Sequence, residues 1–92
     1  MAKLIRANPD LLRNRAKHMR TEAEKMATII SCMDAILIAL CGEWEGSASD
    51  SFVSYYEEIK PHFRMVEDHI WELAVSLERY AGLIEELDAS LA

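Results

Sequence analysis

The side chains of this 92-residue chain that could hold a metal or move a proton are three histidines, two cysteines and sixteen carboxylates. A helical zinc site wants ligands four positions apart with others close by. His62 and His69 are seven apart, His18 stands alone, and neither Cys32 nor Cys41 adjoins a histidine, so no metal site is expected. The two cysteines are nine positions apart. On one helix that is about 13 Å, beyond the reach of a disulfide. They read as small buried side chains, with a bond between copies through Cys41 as the alternative. Carboxylates need burial or a shaped cleft to shift a pKa toward catalysis, and no phosphate-cradling glycine loop or nucleophile elbow accompanies them. The chain is therefore expected not to be an enzyme and to use no cofactor. What remains is a tripeptide near the midpoint, Trp44-Glu45-Gly46. Its chemistry is recognition: a large amphipathic indole beside a glycine that lets the backbone reverse.

The elements that position this tripeptide are two long helices. Asn8 suits an N-cap, Pro9 the first helical position and Asp10 the positive helix end. A seam then runs Leu12, Ala16, Met19, Ala23, Met26, Ile30, Met33, Leu37, Leu40 in steps of four and three, the coiled-coil period. Gly42 supplies a stop signal. A second seam reads Ala48, Phe52, Tyr55, Ile59, His62, Val66, Ile70, Leu73, Leu77, Tyr80, Ile84, Leu87, Leu91, with Phe63 able to replace His62. Ser47-Ala48-Ser49-Asp50 fits the Ser-x-x-Asp helix start. Pro61 removes one hydrogen bond and predicts a kink rather than a break, because the seam keeps its register on both sides. The expectation is one all-α domain over residues 1–92: a helix over about 9–41, a turn over 42–46 and a helix over about 47–89.

A lone hairpin buries one stripe per helix, yet this chain carries more apolar surface than that. Ile29, Cys32 and Ile36 lie off the first seam, and Tyr56, Phe63 and Ala74 lie off the second. Together with Ile70 they are expected to line an interface between two hairpins, giving an elongated four-helix bundle. The net charge is −6, with basic residues concentrated in the first 25 positions and an acidic second half. Such a chain is a poor nucleic-acid binder. Its acidic second helix does not suit a membrane surface, and Ile29–Cys41 is too short to span a bilayer, so no membrane insertion is expected. The opposite lean of the two halves favours antiparallel self-association, so a homodimer is slightly preferred while a heterodimer stays open. Asn8-Pro9-Asp10 follows Lys3 and Arg6 where a leader would be apolar. Synthesis in the cytoplasm without a cleaved signal peptide is the expectation.

The setting of the tripeptide makes it specific. Asn8-Pro9-Asp10-Leu11-Leu12 at the entry, the central Trp44-Glu45-Gly46 and the following Ser47-Ala48-Ser49-Asp50-Ser51-Phe52 resemble the WXG (Trp-X-Gly) family of type VII secretion substrates. These are the early secretory antigenic target-like proteins of Gram-positive bacteria and mycobacteria, and the resemblance spans essentially the whole chain. Pro61 is similar in placement to a proline of members from low-GC Gram-positive bacteria. The resemblance implies a hairpin that pairs head to tail with itself or with a sister WXG protein. It implies export in the folded state, to the cell surface or medium, by a membrane-embedded secretion ATPase. It also implies a possible escort role for a toxin carrying a related N-terminal helical domain, in virulence or interbacterial competition. The family's tryptophan groove lies near the partner's C-terminal tail, where many members carry Tyr-x-x-x-Asp/Glu. Here Tyr80 is followed four places later by Ile84, and Glu85 comes one place late. A partner is then the expected source of that tail signal, or the chain sides with homodimeric members that lack it. Without export, the same seams would make a cytosolic dimeric coiled-coil adaptor.

Overall fold

The computed structural model describes residues 8–91. They form two antiparallel helices, α1 (Pro9–Glu43) and α2 (Ser47–Leu91), joined by Trp44-Glu45-Gly46. Asn8 caps α1 as its sequence suggests: its side chain accepts the Asp10 N–H at 2.8 Å and its carbonyl accepts the Leu12 N–H at 3.1 Å. The far end differs from expectation. Gly42 does not stop α1, which continues to Glu43. Trp44 is the C-cap residue, extended, with its N–H on the Leu40 carbonyl at 2.8 Å. Likewise Gly46, not Ser47, stands at the α2 cap position, because its carbonyl accepts the Asp50 N–H at 3.1 Å and Ser47 is already helical. α2 runs unbroken through Pro61.

The α1 seam is the one read from the sequence: all nine members are buried or half-buried, and Ala16, Ala23 and Ile30 are fully enclosed. The α2 seam is not. Phe52, Tyr55, Val66, Leu73, Tyr80, Leu87 and Leu91 are exposed, as are Ala48 and His62. The residues turned toward α1 are Ser49, Val53, Tyr56, Lys60, Phe63, Glu67, Ile70, Ala74, Leu77, Ala81 and Ile84, again in unbroken steps of four and three. Selection by apolar character alone passed over this stripe because Ser49, Lys60 and Glu67 belong to it. Where two helices make the whole core, a seam position is only half-covered, and a long polar side chain can bury its stem while its head reaches water or a partner.

Three charged links fix the register. Arg13 makes a bidentate pair with Glu85, with Nη1 donating to Oε2 at 2.9 Å, and Arg20 pairs likewise with Glu78, with Nη1 to Oε2 at 2.8 Å. Nearer the turn, Lys60 Nζ donates to Asp34 Oδ2 at 2.8 Å and Tyr56 Oη to Oδ1 at 2.7 Å. Two of these links, Arg13–Glu85 and Arg20–Glu78, join the basic early part to the acidic late part within one chain. The same register sets Ala16 level with Ala81 and Ala23 level with Ala74, four side chains with no exposed surface, so the helices approach closely there.

The product is a rod of 70 × 23 × 21 Å with a radius of gyration of 20.7 Å, against about 12 Å for a compact chain of this length. Its accessible surface is 7182 Å², against about 5,400 Å² for a compact monomer of this mass. Over an 18-residue window α1 is apolar enough, by length and composition, to cross a bilayer, and only 6% of that window is buried. The apolar run is therefore longer than Ile29–Cys41 and mostly uncovered. The cysteines are a further correction: both are free and exposed, Cys32 because it points away from α2 and Cys41 because it lies in the last turn.

The charged links set a pH dependence. Hydrogen bonds from Arg20, Arg13 and Lys60 hold Glu78, Glu85 and Asp34 below the ordinary carboxylate range, and Tyr56 adds to the effect on Asp34. As pH falls the unfolded chain takes up these protons first, so the stability they contribute is intact above the unfolded pKa values of about 4 and is lost below them. Thermal melts are expected to show the melting temperature falling from about pH 5 to 3, and less steeply in E78Q/E85Q. A melting temperature unchanged down to pH 3 would contradict the assignment.

Candidate functional site

The turn is closed by aromatic packing. Trp44 leaves α1 in extended geometry, and its ring lies 6.0 Å from that of Phe52 at an interplanar angle of 48°. Trp44 remains 38% exposed, so it covers the end of the hairpin while presenting one side outward. Gly46 then takes φ +117°, a backbone conformation that side chains disfavour, and α2 begins at the next residue. Glu45 is exposed between them, which completes a tip made of one large aromatic and one acidic side chain.

Beside the tip a wholly apolar cleft of about 190 Å³ is lined by Met33, Ile36, Leu37, Leu40, Phe52 and Tyr56. It places Ile36 of α1 and Phe52 of α2 on one side of the rod. From Phe52 the heptad step continues that side along α2 as Ile59, Val66, Leu73, Tyr80 and Leu87, uncharged throughout and exposed except at half-buried Ile59. On α1 the same step links Ile36, 66% exposed, to Ile29. The opposite side carries the charged links of Arg13, Arg20 and Asp34. The hairpin is therefore two-sided, with ion pairs along one edge and an uncharged apolar strip along the other.

Of the residues expected to meet a second hairpin, Ile29, Cys32 and Ile36 are exposed, with Ile29 and Ile36 on the strip. Tyr56, Phe63 and Ile70 are half-buried in the seam between α1 and α2. Ala74 has no exposed surface and is corrected from interface residue to core residue. Sequence periodicity alone places the α2 strip in the seam, because it is the more apolar of the two stripes on that helix. Its signal was present as six apolar residues at intervals of seven. Among the described residues no cluster of three metal-ligating side chains occurs, and His18, His62 and His69 are all exposed.

Comparison with known proteins agrees with this geometry along the whole rod. The profile of the family described as WXG100, proteins of 100 residues with WXG, matches residues 4–89. Protein YukE of Bacillus subtilis is 30% identical over 92 residues, covering 100% of this chain and 95% of that protein. The ESAT-6-like protein SAG1039 of Streptococcus agalactiae is 23% identical, covering 96% of this chain and 92% of that protein. Among solved structures, EsxA of Geobacillus thermodenitrificans superposes with a TM-score of 0.83 at 30% identity, covering 100% of this chain and 99% of that one. The secreted protein EsxB of Bacillus anthracis, at 20% identity, shares the fold with a TM-score of 0.81 over 96% of this chain and 99% of its own.

The two glycines flanking Trp44 should respond oppositely to a methyl group. Gly42 is helical with open space around a would-be Cβ, so Gly42→Ala is expected to stabilise by about 0.5–1 kcal/mol. Gly46→Ala forces a side chain onto φ +117° and is expected to destabilise by about 1–3 kcal/mol. Paired thermal or urea melts check both signs. Equal effects would mean that the turn does not depend on Gly46.

Proposed function

The chain belongs to the WXG100 family, the ESAT-6-like helical hairpins, and on that premise we propose that it is an export substrate of a type VII secretion system that travels as a paired hairpin. Pairing of such hairpins into a four-helix bundle is typical of the family, which is not a family of enzymes. The observation that carries the reading is the combination of a partly exposed Trp44 at the tip with an uncharged strip down one side. Trp44 supplies recognition and the strip supplies the partner surface. The proposed route is synthesis in the cytoplasm and passage, without a cleaved leader, through the secretion ATPase to the cell surface or medium.

The strip argues for a helical partner of the same shape. An uncharged face spanning five heptads of α2 is far longer than a small-molecule site needs, and apolar patches of that extent mark association surfaces. A standard interface buries about 800 Å² per partner, well within the excess surface of this rod. A second copy, with Ile29, Ile36, Phe52, Val66, Leu73 and Tyr80 meeting their equivalents head to tail, satisfies it. A sister WXG protein or the related N-terminal helical domain of a toxin would use the same strip. With an acidic residue missing four places after Tyr80, the outward side of Trp44 is the part of the export signal assigned to this chain.

Two tests follow. In a host with an active type VII system, Trp44→Arg is expected to abolish appearance of the protein in the medium while leaving helical circular dichroism unchanged. Normal export of that variant would overturn the role of Trp44, and retention of the unaltered protein in the cytoplasm would favour the adaptor. Ile36→Glu and Leu73→Glu should each weaken pairing by about 100-fold or more, because a buried unpaired carboxylate costs several kcal/mol. Unchanged affinity, measured by analytical ultracentrifugation, would place the partner elsewhere.

A further inference from the structure

Between Thr28 and Gly42, Asp34 is the one charged residue, and the helix around it is apolar or small on every side. Two sets of side chains could close this half of α1 against α2. The observed set is Ile30, Met33, Leu37 and Leu40. Turned by about 50°, half of the roughly 100° step between successive residues, the set becomes Ile29, Met33, Ile36 and Leu40. Two members are shared and the others are isomers of one another, so buried area separates the two arrangements very little. Nearer the start of α1 the same turn would bring Arg15 and Glu22 inward, so polarity fixes that half without help. Beyond the Arg20–Glu78 pair, the feature that tells the two rotations apart is Asp34. It accepts Tyr56 Oη at 2.7 Å and Lys60 Nζ at 2.8 Å, and a turn of α1 would carry it away from both.

We infer that Asp34 is the specificity-determining residue of the partner surface: its bonds to Tyr56 and Lys60 select the rotation of α1 that leaves Ile29 and Ile36 outward, beside Phe52 and Val66. The inference deepens the paired-hairpin reading and rests on it for the identity of the occupant. A carboxylate placed in an otherwise uniform apolar segment acts here as a register key, a use of buried and half-buried polar groups with precedent in coiled coils.

The test compares the full chain with Asp34→Leu, Asp34→Asn and the charge swap D34K/K60D. Amide nuclear magnetic resonance spectra read the rotation, and sedimentation reads the dimer dissociation constant. In Asp34→Leu, signals of residues 29–40 are expected to double or broaden while those of residues 12–26 stay single and helical content is kept. If the two rotations become equally populated, each chain is competent half the time, and the dissociation constant rises about fourfold because both chains must be competent. The swap should return one set of signals and the original affinity. One set of signals with unchanged affinity in Asp34→Leu overturns the inference, as does a swap that stays doubled. Loss of helix in both Asp34→Leu and Asp34→Asn assigns Asp34 to stability alone and also overturns it. If the unaltered chain sediments as a monomer, the paired-hairpin reading fails separately, and the amide spectra still decide whether Asp34 sets the rotation.

Discussion

A hairpin of two helices has no third layer, and that constraint governs this molecule. Each helix can turn one stripe toward the other, and every remaining side chain faces water or a partner. The consequences are measurable in the fold. Among the described residues only Ala16, Ala23, Ile30, Ala74 and Ala81 form a fully buried apolar core, while the rod exposes about a third more surface than a compact chain of its mass. Ion pairs then do what a larger core would do elsewhere, holding two long helices in register. Their individual contributions are small because they are exposed, but they are spaced along the rod and agree on a single alignment.

That alignment divides the molecule into unlike edges. Arg13, Arg20 and Asp34 tie α1 to α2 along one edge. On the other the α2 strip is uncharged from Phe52 to Leu87, faced on α1 by Ile36 and Ile29 near the turn and by Glu22 and Arg15 farther along. A second hairpin approaching the first edge would have to desolvate charges already satisfied, whereas the α2 strip offers apolar area with no such cost. Electrostatics within the chain thus favour the apolar edge for the pairing proposed above. The tip follows from the same geometry: Trp44 must leave the helix to cover the open end of the core, and so part of its ring stays accessible.

Much of this was legible in the residues. The α1 seam, the Asn8 cap and the two-helix architecture follow from heptad spacing and from Pro9 and Asp10, because α1 alternates apolar and charged residues sharply up to Lys25. α2 was harder because it carries two stripes side by side. The more apolar, Phe52 through Leu87, looks like a seam and faces outward. The stripe that packs on α1 contains Ser49, Lys60 and Glu67. Apolarity ranks the two wrongly, since it does not register that Lys60 has a carboxylate waiting on α1. The turn was misplaced by two residues because Gly42 and Gly46 are indistinguishable as letters, and only backbone geometry separates a helical glycine from one at φ +117°. The cysteines were expected to be buried from their usual preference, which a helix with more apolar faces than partners does not respect.

The central claim is that the apolar edge is occupied by another helical hairpin. Sedimentation equilibrium of the unaltered chain, across low to high micromolar concentration, tests it most directly. The account predicts a species of twice the 10.5 kDa chain mass that dissociates on dilution, or, where the chain pairs with a different hairpin, a one-to-one complex once that protein is added. A chain that stays at 10.5 kDa throughout, alone and with every hairpin encoded beside it, would contradict it.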